Sequence, residues 1–324
     1  MHYSQGEKME IIRIVEESEI GVVRTLRELG IHPSVFYKWY NLYKEKGVEG
    51  LARKRRNQFW NQIPPWERSR VVECALERPE LSPRELAYHI TDKYHYFISE
   101  SSVYRILKKR GLITSPAFIV MSASDKFKDP TRRVNELWQT DFTYFKIVGW
   151  GWYYLSTIMD DYSRYIISWE LCKTMKAYDV ERSIQMALDK TGMDVNSRPK
   201  LLSDNGSCYI SHELKDYLQE HGIKHVRGAP NHPQTQGKIE RYHRSMKNII
   251  KLDNYYLPEH LIKRLDEFVI YYNNDRYHES LNNVTPADVF YGRDQKILEK
   301  RKEIKKKTIR KRRNEYKKYV ILND

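Results

Sequence analysis

Cysteine is scarce in this chain: there are three, Cys74, Cys172 and Cys208, with no CxxC pair. That spacing supports neither a disulfide framework nor a tetrahedral zinc site. Long apolar runs are missing as well. No stretch approaches the roughly 18 apolar residues of a membrane span, and the opening MHYSQGEKMEIIR lacks the apolar core of a secretory leader. A cytoplasmic protein without membrane partners is therefore expected. Acidic side chains are outnumbered, with 43 Asp and Glu against 57 Lys and Arg, for a formal charge of +14 over 324 residues. A surplus of that size points to a polyanion, and nucleic acid is the commonest one. The length predicts two or three domains, and 40% hydrophobic residues suffice to fill their cores.

The front of the chain reads as helices. Ile11, Ile12 and Val15 mark a first, Val22, Val23, Leu26 and Leu29 a second, and Pro33 opens a third through Phe36 and Trp39, with Gly30 at the turn. Two helices joined at a glycine follow the helix-turn-helix plan, whose last helix enters the major groove. Ser34, Tyr37, Lys38 and Asn41 would then face DNA, and the following cluster of Arg53, Lys54, Arg55 and Arg56 reads as a linker or a phosphate clamp. The pattern restarts at Pro64. Ser82-Pro83-Arg84-Glu85 is a capping box, Tyr94 to Ile98 suggests a short strand, and a helix from Ser99 leaves Arg105, Lys108, Lys109 and Arg110 free. This second, winged-type helix-turn-helix makes a bipartite DNA reader the expectation: domains at 1–60 and 61–114, then a linker at 115–134.

From 135 to 292 the periodicity changes. Strands are predicted at Leu137 to Ile147, Trp152 to Met159, Arg164 to Leu171, Pro199 to Leu202 and Lys224 to Val226, with helices between and after them. Three strands in a meander followed by strands alternating with helices predict a mixed α/β sheet. Asp204 follows a buried strand, at the carboxyl edge where open α/β sheets place ligands. Glu240 opens a helix, with Lys247 about two turns on along the same face. These two carboxylates, with Asp141 from a third element, suit phosphoryl transfer assisted by two divalent cations. Asp161 with Ser163 is predicted to turn the chain between two strands. From 293 to 324 lysine and arginine dominate, a basic tail read as disordered, as a solvated helix, or as a contact to DNA phosphates.

Three segments carry a resemblance: WQTDFTY around Asp141, SDNG at Asp204, and HPQTQGKIER around Glu240, with 35 residues between the last two acids and a lysine seven residues on. Together with MDDYSRYIISWE and YNNDRYHESLNNVTPADVF they resemble the integrase-type DDE transposases of bacterial insertion sequences, relatives of retroviral integrases. That resemblance implies a multidomain protein. It would have all-α helix-turn-helix modules, a ribonuclease-H-like core and the basic tail. It implies Asp141, Asp204 and Glu240 as catalytic ligands of two Mg²⁺ or Mn²⁺ ions, and Lys247 as a contact to DNA phosphate. Asn205, Arg241 and Arg244 are assigned to DNA as well, while His232, Gln234 and Gln236 would shape the loop before Glu240 or touch terminal bases. The expected partners are double-stranded DNA, both element ends and target, and further copies of the chain assembled on it as a homodimer or higher oligomer in the nucleoid. The expected activity is cleavage to free 3′ hydroxyls and their joining to target; a nuclease without joining, or a regulator using only the helical modules, are the alternatives. The zinc module of retroviral integrases has no counterpart in this cysteine pattern. Tyr277 stands where such proteins more often have proline.

Overall fold

The structure, a computed structural model, describes residues 3–52, 59–113, 131–228 and 237–323. The chain divides into two compact units, residues 1–62 with 312–324, and residues 63–311.

In the first unit α1 (Gln5–Glu17), α2 (Val22–Glu28) and α3 (Pro33–Lys46) enclose Ile12, Val15, Leu26, Ile31, Phe36 and Leu51. The α2–α3 turn depends on Gly30, whose φ of 67° an L-residue adopts only with strain. Ser34, Tyr37, Lys38 and Asn41 all lie on the exposed side of α3.

The second unit begins with α4 (Pro65–Glu77), α5 (Pro83–Tyr94) and α6 (Glu100–Lys109) around Val71, Leu86, Ile90, Val103 and Leu107. Ser82 and Glu85 form the capping box that starts α5. The strand expected at Tyr94 to Ile98 is not there. Helix α5 runs through Tyr94, His95 closes it in the left-handed region (φ 53°), and the Phe97 N–H donates to the Thr308 hydroxyl at 3.1 Å instead of to a neighbouring strand.

The core sheet is built from β1 (Leu137–Ile147), β2 (Gly151–Asp160), β3 (Ile166–Cys172), β4 (Lys200–Ser203) and β5 (Lys224–Arg227), in the order β3-β2-β1-β4-β5. The first three strands are antiparallel; β4 lies parallel to β1, and β5 parallel to β4. Helices α7 (Ala177–Thr191), α8 (Ser207–Ile210) and α9 (His212–Glu220) cover one face, burying Trp138, Ile158, Val180, Ile184 and Leu214. On the other, α10 (Gly237–Ile250) and α11 (Pro258–Asn274) bury Leu155, Tyr242, Met246, Leu265 and Phe268. This strand order and two-sided cover is the ribonuclease-H-like arrangement.

The short α12 (Pro286–Phe290) leads into α13 (Asp294–Asn323), so the basic tail is a helix, uninterrupted by glycine or proline. It is not solvated all round. Arg301, Ile304 and Thr308, spaced to share one helix face, are buried. The Arg301 guanidinium donates to both Asp92 oxygens at 2.8 and 2.6 Å and to the Asn283 carbonyl at 2.8 Å, while the Tyr277 hydroxyl donates to Asp92 at 3.2 Å. Tyr277 thus helps tie α5 and α13 to the core, a task that proline, with no side-chain donor, does not perform.

Next to Tyr277, His278 is held neutral. Burial, then the charges of Arg276, Arg164 and Arg84, lower its pKa to about 3, and its Nε2 has no hydrogen-bond partner among the described residues. An unfolded chain takes up this proton near the ordinary histidine value of about 6.5. The stability associated with the neutral ring is therefore complete above about pH 6.5 and lost as pH falls toward the folded value. The melting temperature is expected to drop between about pH 6.5 and pH 4, and the drop to be shallower in His278→Phe. Parallel slopes in the two proteins would contradict this.

Candidate active site

Register places two of the predicted acids. The β1–β4 pairing ends at Gln139 opposite Leu202, and Asp141 and Asp204 each lie two residues further along. The two carboxylates therefore leave adjacent parallel strands at one level, with strands roughly 4.8 Å apart. Both surround Cys208, whose thiol is pushed up to about 11 by burial and then by Asp204, with Asp141 adding to it.

Glu240 arrives from the opposite side, on the first turn of α10. Asp141 and Glu240 line one cleft of about 450 Å³ together with Tyr144, His243, Arg244, Lys247, Asn248 and Lys251. A larger cavity of about 640 Å³ includes Tyr88, Phe97, Arg301 and Lys305 in its lining, but none of the three acids. The chemistry therefore assigns the smaller, open cleft. Asp204 is oriented otherwise: its Oδ1 accepts the Gly206 N–H at 2.9 Å, an Asx turn that leads into α8. Among the described residues no three His, Cys, Asp or Glu side chains converge closely enough to hold a cation. The donor types nevertheless fit one, since Asp141, Asp204 and Glu240 all offer hard carboxylate oxygens.

Around these acids lie groups that sequence reasoning missed. His243 is buried, with Nδ1 at 3.4 Å from Asp141 Oδ2 and Nε2 at 3.5 Å from the Thr157 hydroxyl. Its place three residues after Glu240, one helical turn on, was a legible signal. The start of α10 is held by a second group. Asp161 Oδ1 accepts from Gln139 Nε2 at 2.7 Å, its Oδ2 accepts from Lys238 Nζ at 2.6 Å and from the Thr131 hydroxyl, and Gln139 Oε1 accepts the Ile239 N–H at 3.2 Å. Asp161 lies in the turn between β2 and β3, as expected, but its side chain serves α10 as well. The turn is braced by the neighbouring Asp160, whose carboxylate accepts the Ser163 and Asn135 N–H groups at 2.8 and 2.7 Å, and burial raises its pKa. The pleat separates the two: successive side chains point to opposite faces, so only one of them turns inward to the hairpin.

Of the residues assigned to DNA, Lys247 and Arg244 line the cleft, and Arg241 is exposed on α10. The Lys247 ammonium lies 4.6 Å from the centre of the Tyr144 ring, and burial, then Lys251, lowers its pKa. Asn205 is exposed and donates to the Gly228 carbonyl at 3.0 Å. Arg105, Lys108 and Lys109 are exposed on α6, away from the cleft lining. Arg53 and Arg55, with Lys54 and Arg56, lie outside the described residues, as do His232, Gln234 and Gln236. No helix among the described residues is long and apolar enough to cross a membrane.

Comparison with known proteins agrees with this architecture. Residues 131–233 and 221–286 match two models of the integrase core domain, and residues 35–107 match a homeodomain-like domain. The transposase for transposon Tn552 of Staphylococcus aureus is 26% identical over 245 residues, covering 66% of this chain and 49% of that protein. The Gag-Pro-Pol polyprotein of mouse mammary tumor virus is 28% identical over 130 residues, covering 39% of this chain and 7% of that one. The chain thus spans half or less of the length of these relatives. Among solved structures, the HTLV-2 integrase catalytic core domain in complex with magnesium is 21% identical with a TM-score of 0.40, over 49% of this chain and 97% of that one. A simian T-cell lymphotropic virus intasome is 20% identical with a TM-score of 0.43, over 68% and 74%. On the sheet order and the two integrase-core matches together, residues 131–286 of this chain carry an integrase core domain like that of transposases and retroviral integrases.

Proposed function

We propose that this protein joins the ends of a mobile DNA element to target DNA, with Asp141, Asp204 and Glu240 as the catalytic acids. The observation that carries this reading is the meeting of Asp141 and Glu240 in one basic-lined cleft, with Asp204 leaving the neighbouring strand at the level of Asp141. These three would hold two Mg²⁺ or Mn²⁺ ions, and the Gly206 hydrogen bond engages only one of the two Asp204 oxygens. Bound cations supply Lewis-acid polarisation of the phosphate and activation of an oxygen nucleophile.

The chain's own residues do the rest. Lys247 and Arg244 seat a phosphate in the cleft, and Asn248 offers a neutral donor beside them. His243 holds Asp141 from behind, and the Asp161 network fixes where α10, and so Glu240, begins. A water oxygen attacks phosphorus at the element end, and the departing oxygen becomes a 3′ hydroxyl. That hydroxyl then attacks a target phosphodiester, displacing a second 3′ oxygen. The exposed faces of α3 and α6 present Tyr37, Lys38, Arg105 and Lys108 to the element ends, two of which must be brought together by two or more copies of the chain. The exposed lysines and arginines of α13 add sequence-independent binding that weakens steeply with salt.

The test combines purified protein, a labelled duplex carrying the DNA end that flanks its own gene, an unlabelled target, and Mg²⁺ or Mn²⁺. Joined products are expected, lost on chelation and restored by either ion. Cleavage without joining would indicate a nuclease, and tight binding without chemistry in either ion a regulator.

A further inference from the structure

The β1–β2 hairpin carries exposed aromatic side chains next to the cleft. Tyr144 and Trp152 are 56% and 52% exposed, although rings of this size are ordinarily covered. They touch each other edge-on with centroids 5.4 Å apart. Each ring also lies beside an ammonium group, Lys247 at 4.6 Å from Tyr144 and Lys146 at 5.8 Å from Trp152. Tyr144 and Lys247 both line the cleft that holds Asp141 and Glu240, and Lys251 continues it. The result is a row, lysine, ring, ring, lysine, leading out of the cleft along the hairpin.

Such a row fits nucleic acid better than protein. Rings stack on bases and ammonium groups neutralise the phosphates between them, a combination that binds single strands without regard to sequence. A second copy meeting the same surface would oppose its own lysines, and like charges facing one another disfavour that contact. Inside a duplex the bases are already stacked on their neighbours, so only nucleotides that have left the helix offer a free face. We propose that Tyr144 and Trp152 are a stacking platform for unpaired nucleotides beside the scissile phosphate, with Lys146 and Lys247 holding the backbone that carries them. This rests on the reading of the cleft as the place of strand cleavage. Holding frayed nucleotides on the hairpin would keep the cut end open and its phosphate within reach of Asp141 and Glu240.

The test is made in EDTA, so that it does not depend on chemistry. Two duplexes of the element end are compared, one blunt and one with a short unpaired overhang containing 2-aminopurine, whose fluorescence falls on stacking. The unaltered protein is expected to bind the overhang duplex more tightly and to quench the probe. Y144A/W152A should weaken overhang binding about tenfold or more, abolish the quench, and leave blunt binding within about twofold. Y144F/W152F, which keeps both rings, should retain preference and quench, separating loss of stacking from loss of folding. Equal weakening on both duplexes, or an unchanged quench in Y144A/W152A, would overturn the proposal. So would a change in sedimentation with duplex preference intact, which would make the hairpin a contact between copies. Loss of joining in Glu240→Gln tests the catalytic reading separately, and its failure would not alter the quench.

Discussion

Glu240→Gln will bind the element ends as tightly as the unaltered protein and will join them at least about a thousandfold more slowly. The substitution keeps the size of the side chain and removes its charge. Glu240 is exposed at the start of α10, so folding loses little. The cleft, however, is otherwise basic, with Arg244, Lys247 and Lys251 around it, and Asp141 would be its one remaining carboxylate. A cation held by fewer anionic oxygens in a positive field is held weakly. Several kcal/mol of transition-state stabilisation then disappear, each 1.4 kcal/mol being about tenfold in rate. Gel-shift titration and the joining assay run on one preparation measure both halves. Wild-type joining by Glu240→Gln would remove Glu240 from the site, and a parallel loss of binding would make it a DNA contact.

Asp161→Ala should destabilise the core by about 3–5 kcal/mol and slow joining as well. The Asp161 side chain is 7% exposed and that of Lys238 14%. Removing the carboxylate takes from a largely buried ammonium its nearest charge partner, and from the Gln139 amide its acceptor at 2.7 Å. Desolvated groups that lose a partner cost more than the intact pair contributes, and this asymmetry sets the size of the effect. The same carboxylate orients Gln139, which receives the Ile239 N–H, so the first turn of α10 loses its tether one residue before Glu240. Asp161→Asn keeps an acceptor of the same shape and is expected to recover much of the stability and less of the rate. Denaturant unfolding followed at the core tryptophans gives the first number, and the joining assay the second. A cost under about 1 kcal/mol for Asp161→Ala would make the network incidental.

Much of this protein was legible in its sequence, where the physics is local. Strand β1 fell at Leu137–Ile147 as its alternation required. The capping boxes and prolines marked helix starts, and the charge surplus indicated a polyanion. Periodicity could not decide which polar groups meet. Asp160 and Asp161 are adjacent and chemically identical, yet the pleat sends one to a hairpin turn and the other to the base of α10, and only the pairing of β1 with β2 fixes which is which. The residues 94–98 have a strand's composition and no strand beside them, and the Phe97 N–H donates instead to Thr308, more than 200 residues away in sequence. The basic tail has no apolar stripe to announce a docked helix; it is held through Arg301 on Asp92, an ion pair whose partners no local window contains. The sequence by itself determined most of the elements and the two kinds of domain, since these follow from short-range sterics and side-chain type. Tertiary structure alone decided that Asp141 meets Glu240 and His243, that Asp204 spends an oxygen on Gly206, and that Tyr144 and Trp152 stand open beside them. Those facts depend on register and long-range packing, which burial of the whole chain settles at once.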